Sequence, residues 1–184
     1  MSFLRFLGNR PGQPIPVAAP ATPDVSAETD AVRRIVTRLE ALPVDQARLL
    51  AGMAYLLARA AYADLDISDA ETSAMEQVLT ESGLDPSQAI LVAEMAKLQE
   101  KTTGGTSDYL VAREFRDHST MDQRITVLRA CYRICAADDS ISGTESSTVD
   151  EIATELELSR EDAAAVRAEF AGKLSARFGF GTPS

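Results

Sequence analysis

The chain is poor in the residues from which most catalytic and redox chemistry is built. Among 184 residues there is one histidine, His118, and only two cysteines, Cys131 and Cys135. Two cysteines are too few for a secreted disulfide framework, and the cytoplasm is the expected compartment. No apolar run reaches the roughly 18 residues needed to cross a bilayer. The opening MSFLRFLGNRPGQP has a brief apolar stretch but no signal-peptide core. Aromatic residues make up only 5%, and β-branched runs of period two are missing, which argues against a sheet. Positive charge is also short: 18 bases face 28 acids, a net charge of -10. Such a field repels phosphate backbones, so nucleic acid is not an expected partner, whereas cations and basic proteins are. No Ser/His/Asp set, Gly-rich phosphate loop or nucleophile elbow occurs. An enzyme would have to work with carboxylates alone, and none is expected.

What is present is helical patterning. Residues 1–24 hold five of the eight prolines and read as a flexible tail. Phe3, Leu4, Phe6 and Leu7, with Arg5 and Arg10, would give residues 1–10 at most a weak peripheral membrane contact. A helical domain is expected over 25–178, with a short tail at 179–184. Leu49, Leu50, Met53, Leu56, Leu57, Ala60 and Ala61 follow the i, i+3, i+4 rhythm of a buried helix. Ser68 with Glu71, Thr120 with Gln123, and Ser142 with Glu145 are capping boxes that open three further helices. Asp85 before Pro86 marks another start, with Ile90, Ala93 and Leu98 expected inward. Ser159 opens the last, carrying Ala163, Val166, Phe170 and Leu174. A leading helix near 27–41 and a linking helix near 108–116 complete an all-α fold of about seven or eight helices.

The chain also repeats itself. Shifted by 74 positions, residues 59–84 match 133–158 at ten of 26 places: Arg59, Ala63, Asp64, Ile67, Ser68, Glu71, Ser73, Thr80, Glu81 and Leu84. This predicts duplicated helix–loop–helix units, about 45–101 and 119–176, packed about a pseudo-twofold axis. Cys131 and Cys135 match Leu57 and Ala61, so they read as small buried hydrophobes and not as metal ligands. His118 has no evident catalytic partner.

Each unit places an acidic knot at a helix junction: AYADLDISDAE at 61–71 and CAADDSISGTE at 135–145. Asp69 and Glu71 suit the positive end of the helix dipole, but Asp64 and Asp138 end helices, where a negative charge is unfavourable. That predicts a compensating positive charge, either a metal ion or the matched Arg59 and Arg133. Loop carboxylates between helices are the ligands of hard divalent cations. Asp64, Asp66 and Ser68, like Asp138, Ser140, Ser142 and Gly143, fit the early positions of an EF-hand loop. Position twelve is Met75 or Val149, however, so this is not an EF-hand. If the two loops meet, Asp64, Asp66, Glu71, Asp138, Asp139 and Glu145 would form one acidic patch. The patch would hold a divalent cation, calcium or similar, or dock a basic protein. The competing reading is structural: the same residues serve as helix caps and ion-pair partners, with no metal.

The pattern A-D-x-x-I-S-x-x-E after LLARAAYA, echoed after LRACYRICA, resembles the TerB-like tellurite-resistance family over roughly 27–176. More closely it resembles the small two-copy TerB-like proteins of bacteria. The resemblance implies an all-helical fold whose repeated acids gather on a face proposed to bind metal. It also implies a role in stress tolerance or membrane-associated signalling through protein partners, without catalysis. It maps onto Asp64, Glu71, Asp138 and Glu145, with Asp66 and Asp139 as additional acids. In one respect the chain departs: the family usually has Gly after the motif's Asp, where this chain has Leu65 and Asp139. Leucine at positive φ costs on the order of 1 kcal/mol. The first loop is therefore expected either to differ in shape or to bury Leu65.

Overall fold

Helix starts and stops follow from caps written into the sequence. The computed structural model describes residues 24–103, 105 and 107–174. The expected tails, including the membrane-touching segment 1–10, lie outside these residues apart from Asp24. Eight helices occur among the described residues: α1 (Asp24–Glu40), α2 (Val44–Ala61), α3 (Asp69–Glu81), α4 (Pro86–Thr103), α5 (Asp108–His118), α6 (Met121–Cys135), α7 (Gly143–Glu155) and α8 (Arg160–Glu169). The sole β-type pairing among them is an isolated parallel bridge, Ile141 to Leu174. The chain is all-α.

All three capping boxes form. Ser68, Thr120 and Ser142 accept from the backbone of the third helical residue, whose side chain accepts in return from the cap's own N–H. Asp85 and Gln88 make the same reciprocal pair before α4. Helices α3 and α7 also end alike. Gly83 (φ 106°) and Glu157 (φ 55°) turn left-handed, and Leu84 and Leu158 donate back to the carbonyls of Leu79 and Ala153.

Helix α2 is apolar on nearly every side and is the hub of the molecule. It packs against α3, α4, α5, α6 and α7. Its neighbour α6 runs beside it in the same direction. The Cys131 thiol meets the carbonyl of Leu56 at 3.7 Å, and that of Cys135 meets Ala60 at 3.6 Å, so both helices advance one turn together. Both cysteines are buried and unbonded, as expected of small hydrophobes. Burial pushes the Cys131 thiol up to about 12, which leaves it inert at neutral pH.

Helix α4 buries Ala93 as expected but turns Ile90 and Leu98 outward. Ala89, Val92, Ala93 and Ala96 are buried, whereas Ile90 and Leu98 are exposed. Apolar residues surround this helix, and close packing on α2 and α3 selects the side with alanines over the side with bulkier groups.

Two cross-links tie the halves of the chain. Arg59 on α2 reaches Glu155 (2.5 Å) and Glu151 (3.4 Å) on α7, and Arg133 on α6 reaches Glu81 on α3 at 2.7 Å. The matched arginines differ in burial: Arg59 is enclosed, with Asp108 of α5 as a third partner at 3.3 Å, while Arg133 is half in water. Removing one member of a buried pair strands charge, whereas an exposed pair is screened. Arg59→Ala should therefore cost about 3–5 kcal/mol and Arg133→Ala only ~0.2–1 kcal/mol. Urea denaturation of both variants measures the contrast.

Candidate functional site

Because α2 and α6 run in parallel, their C-terminal ends emerge on the same side of the molecule, and both acidic junctions follow directly from those ends. Within each junction the chain folds alike. The residue after the leading Asp is left-handed in both, Leu65 at φ 72° and Asp139 at φ 76°. Asp64 Oδ1 accepts from the Asp66 N–H at 3.3 Å, and Asp138 Oδ1 from the Ser140 N–H at 3.4 Å. Ile67 and Ile141 then turn toward the core. Met75 and Val149, at the would-be twelfth ligand positions, are fully buried, consistent with the exclusion of an EF-hand.

Two expectations about the leading acids are corrected. Arg59 and Arg133 do not neutralise Asp64 and Asp138, because they are engaged by Asp108, Glu151 and Glu155, and by Glu81. The unfavourable helix-end position is instead offset locally, by the loop N–H that each carboxylate accepts. Leu65 is corrected as well. Its loop has the same shape as its counterpart, and its side chain is 75% exposed, so neither alternative shape nor burial relieves the left-handed backbone.

Glu71 and Glu145 behave differently from the loop aspartates. Each is only 6% exposed. Glu71 Oε2 accepts from the Ser68 N–H (2.8 Å) and hydroxyl (2.9 Å), and Glu145 Oε2 from the Ser142 N–H (2.6 Å). The two face a common interior. Burial raises the Glu71 carboxyl above its ordinary value, against the lowering effect of the Ser68 hydrogen bonds, and the charges of Glu145 and Asp64 add to the rise. Cys135 feels both charges, its thiol pushed up by burial and then by Glu145, Cys131 and Glu71. The junctions are therefore electrostatic neighbours.

The six predicted acids divide accordingly. Glu71 and Glu145 come together under the surface, and Asp64 lies within electrostatic reach of Glu71. Asp66 and Asp138 are exposed with no ion pair among the described residues, while Asp139 meets Lys173 at 2.5 Å. No group of three or more His, Cys, Asp or Glu among the described residues is arranged to hold a metal ion. His118 Nδ1 lies 2.9 Å from the Glu114 carbonyl and serves its own helix end.

A second constellation escaped the reading of the sequence. Around Arg59, the helix ends bring together Glu100, Asp108, Glu151 and Glu155, with the Tyr55 hydroxyl donating to Asp108 Oδ1 at 2.7 Å. The available signal was an arginine inside the apolar run LLARAAY, since a buried guanidinium requires carboxylates from elsewhere in the chain.

Among known families, the model described as "Tellurite resistance protein TerB" matches residues 50–168. No curated protein and no solved structure matches the chain significantly. No helix among the described residues is long and apolar enough to cross a membrane.

The Glu71 environment gives a signed pH effect. Its carboxyl is raised in the folded chain, so the folded state holds the proton more tightly and loses stability as pH climbs from 4.5 through the raised value. Glu71→Gln keeps an acceptor for the capping box but cannot ionise. Its stability relative to wild type should rise with pH across that window, as read by thermal melts from pH 4 upward. A constant difference would show that Glu71 titrates normally.

Proposed function

The chain belongs to the tellurite resistance protein TerB family, and on that premise we propose that it is a non-enzymatic module whose paired helix junctions form an acidic docking face for a basic partner protein. The observation that carries this reading is the convergence of the two junctions. Glu71 and Glu145 are held within each other's field, and Asp64, Asp66 and Asp138 stand exposed above them without ion pairs among the described residues. A surface that concentrates like charge lowers stability, and an approaching cationic surface relieves that cost.

The module is read as two helix–loop–helix copies about a pseudo-twofold axis. The exchanged pairs support this: Arg59 with Glu155 and Arg133 with Glu81 match under the same shift of 74, each arginine reaching the other unit's glutamate. Such reciprocity is what a twofold interface produces. A role in bacterial stress tolerance belongs to the same proposal and rests on the family resemblance, and a cytoplasmic setting rests on the low cysteine content. The residues themselves speak of charge and not of tellurium chemistry.

A divalent cation is the second reading, favoured by the closeness of Glu71 to Glu145 and Asp64. The donor set fits only a hydrated ion. Glu71 Oε2 and Glu145 Oε2 already hold helix caps, and no three acids among the described residues are arranged to hold a metal. One or two carboxylates with several waters is an arrangement magnesium accepts and calcium binds weakly.

Calorimetric titration with an octalysine peptide separates these readings. Wild type should bind, with affinity falling steeply as salt rises, and Asp64→Lys with Asp138→Lys should weaken it by about tenfold or more. Binding that survives both reversals would remove the docking face. In parallel, magnesium or calcium at about 1 mM should raise the melting temperature if the cation reading holds. A flat response, with chelator equally silent, leaves docking without metal.

A further inference from the structure

Beside the first junction lies a cavity of about 340 Å³, bounded by the ends of α2 and α4, the start of α5, and α7. Its wall includes the Arg59 cluster, but not Glu71, Asp138, Asp139 or Glu145. We propose that this cavity receives a single cationic side chain, the ammonium or guanidinium head of a lysine or arginine presented by a partner protein.

The charge inventory selects a cation. Four carboxylates, Glu100, Asp108, Glu151 and Glu155, lie in or against the wall, with two cations, Arg59 and Lys101. Arg59 is fully engaged. Arg59 spends Nε on Asp108 and its two terminal nitrogens on Glu155 and Glu151. Lys101 sits over the Tyr62 ring, 5.7 Å from its centre. The acids therefore outnumber the positive charge that Arg59 and the exposed Lys101 supply, which favours a cationic ligand, and Glu100 adds an acceptor for its donor. Glu100 is 8% exposed and lines the cavity; Tyr55 and Arg59 act on its carboxyl group, but its buried Oε2 has no hydrogen-bond partner among the described residues. An unmatched buried carboxylate oxygen is costly, and a charged donor is its strongest complement.

Size and rim chemistry narrow the ligand further. The volume lies at the lower end of the ~300–1,000 Å³ of small-molecule sites, which suits one side chain. Exposed Leu65 stands at the rim, where it offers apolar surface to an aliphatic stem whose charged head points inward. A bare divalent ion is the poorer fit, because these carboxylates do not form a metal-holding group.

The proposal does not depend on the acidic docking face, and the test keeps the two apart. The ¹H–¹⁵N spectrum of the full chain is followed while acetyl-Gly-Lys-Gly-amide or acetyl-Gly-Arg-Gly-amide is added, with the norleucine peptide as an uncharged control. One or both cationic peptides should shift Tyr62, Thr102 and Thr148 saturably, and the control should not. Glu100→Gln and Glu151→Gln should each weaken binding by about tenfold. Glu151 is two-thirds exposed, so its variant stays informative even if the Glu100 variant fails to fold. Asp64→Lys with Asp138→Lys should leave the cavity shifts in place. Absence of saturable shifts, wild-type affinity in both glutamine variants, or loss of binding on junction reversal would each overturn the assignment.

Discussion

The parallel seam between α2 and α6 determines where everything else can lie. Along it, small side chains allow the backbones to approach, and two thiols rest against the carbonyls of Leu56 and Ala60 one turn apart. Had these helices run antiparallel, the two acidic junctions would sit at opposite ends and each carboxylate would be solvated alone. Running together, they deliver both junctions to one end. The field that Glu145 exerts on Glu71 is thus a consequence of helix direction. The capping boxes make the repulsion tolerable, since each carboxylate accepts from its own helix start, where the dipole favours negative charge. Burial for capping and crowding for charge are imposed on the same two side chains.

The matched arginines show how one repeated letter acquires two roles. Arg133 meets Glu81 at the surface, in water that screens most of the gain. Arg59 makes the exchanged contact with Glu155, but α5 lies alongside and adds Asp108, while α4 brings Glu100 close. Among the described residues no counterpart of helix α5 packs against Arg133, so the two environments diverge despite a common local sequence. The burial of Arg59 is stabilising only because its partners are in place, and those partners exceed what one guanidinium can neutralise. The surplus of carboxylate gathers around Arg59, and Arg133 meets only Glu81 among the described residues.

Helix positions, caps and core could be read in the sequence because they depend on local rules. Ser68 with Glu71, Ser142 with Glu145, and Gly83 at a left-handed stop need only a few neighbouring residues to act. The inward side of α4 was legible only in part. Ile90 and Leu98 look like core residues by hydrophobicity, but the close approach of α2 and α3 selects alanine, and that depends on distances between helices. The acids of the site were legible as a set, yet their division was not. Whether Asp64 meets Arg59 or a loop N–H depends on which way a guanidinium turns once Asp108 and Glu155 arrive from far along the chain. Glu100 gave no signal because it lies outside the repeated motif, in a helix whose polar residues looked solvent-facing.

Leu65 is where local preference and observed structure disagree without a structural remedy. At the matching place, Asp139 tolerates the left-handed backbone and joins Lys173. Leu65 adopts the same backbone with a branched side chain, gains almost no burial, and sacrifices the freedom that glycine would give. Elsewhere the three capping boxes close and both thiols are enclosed, although Glu157 is also left-handed and Ser107 makes no side-chain cap. An exposed apolar side chain on a left-handed backbone offers surface that a contact outside the fold would bury. Leu65 stands between the acidic junction and the rim of the Arg59 cavity. A partner that brings a basic side chain to that cavity would cover Leu65 in the same step, and burial of the leucine on binding would then offset the conformational cost that the free molecule carries.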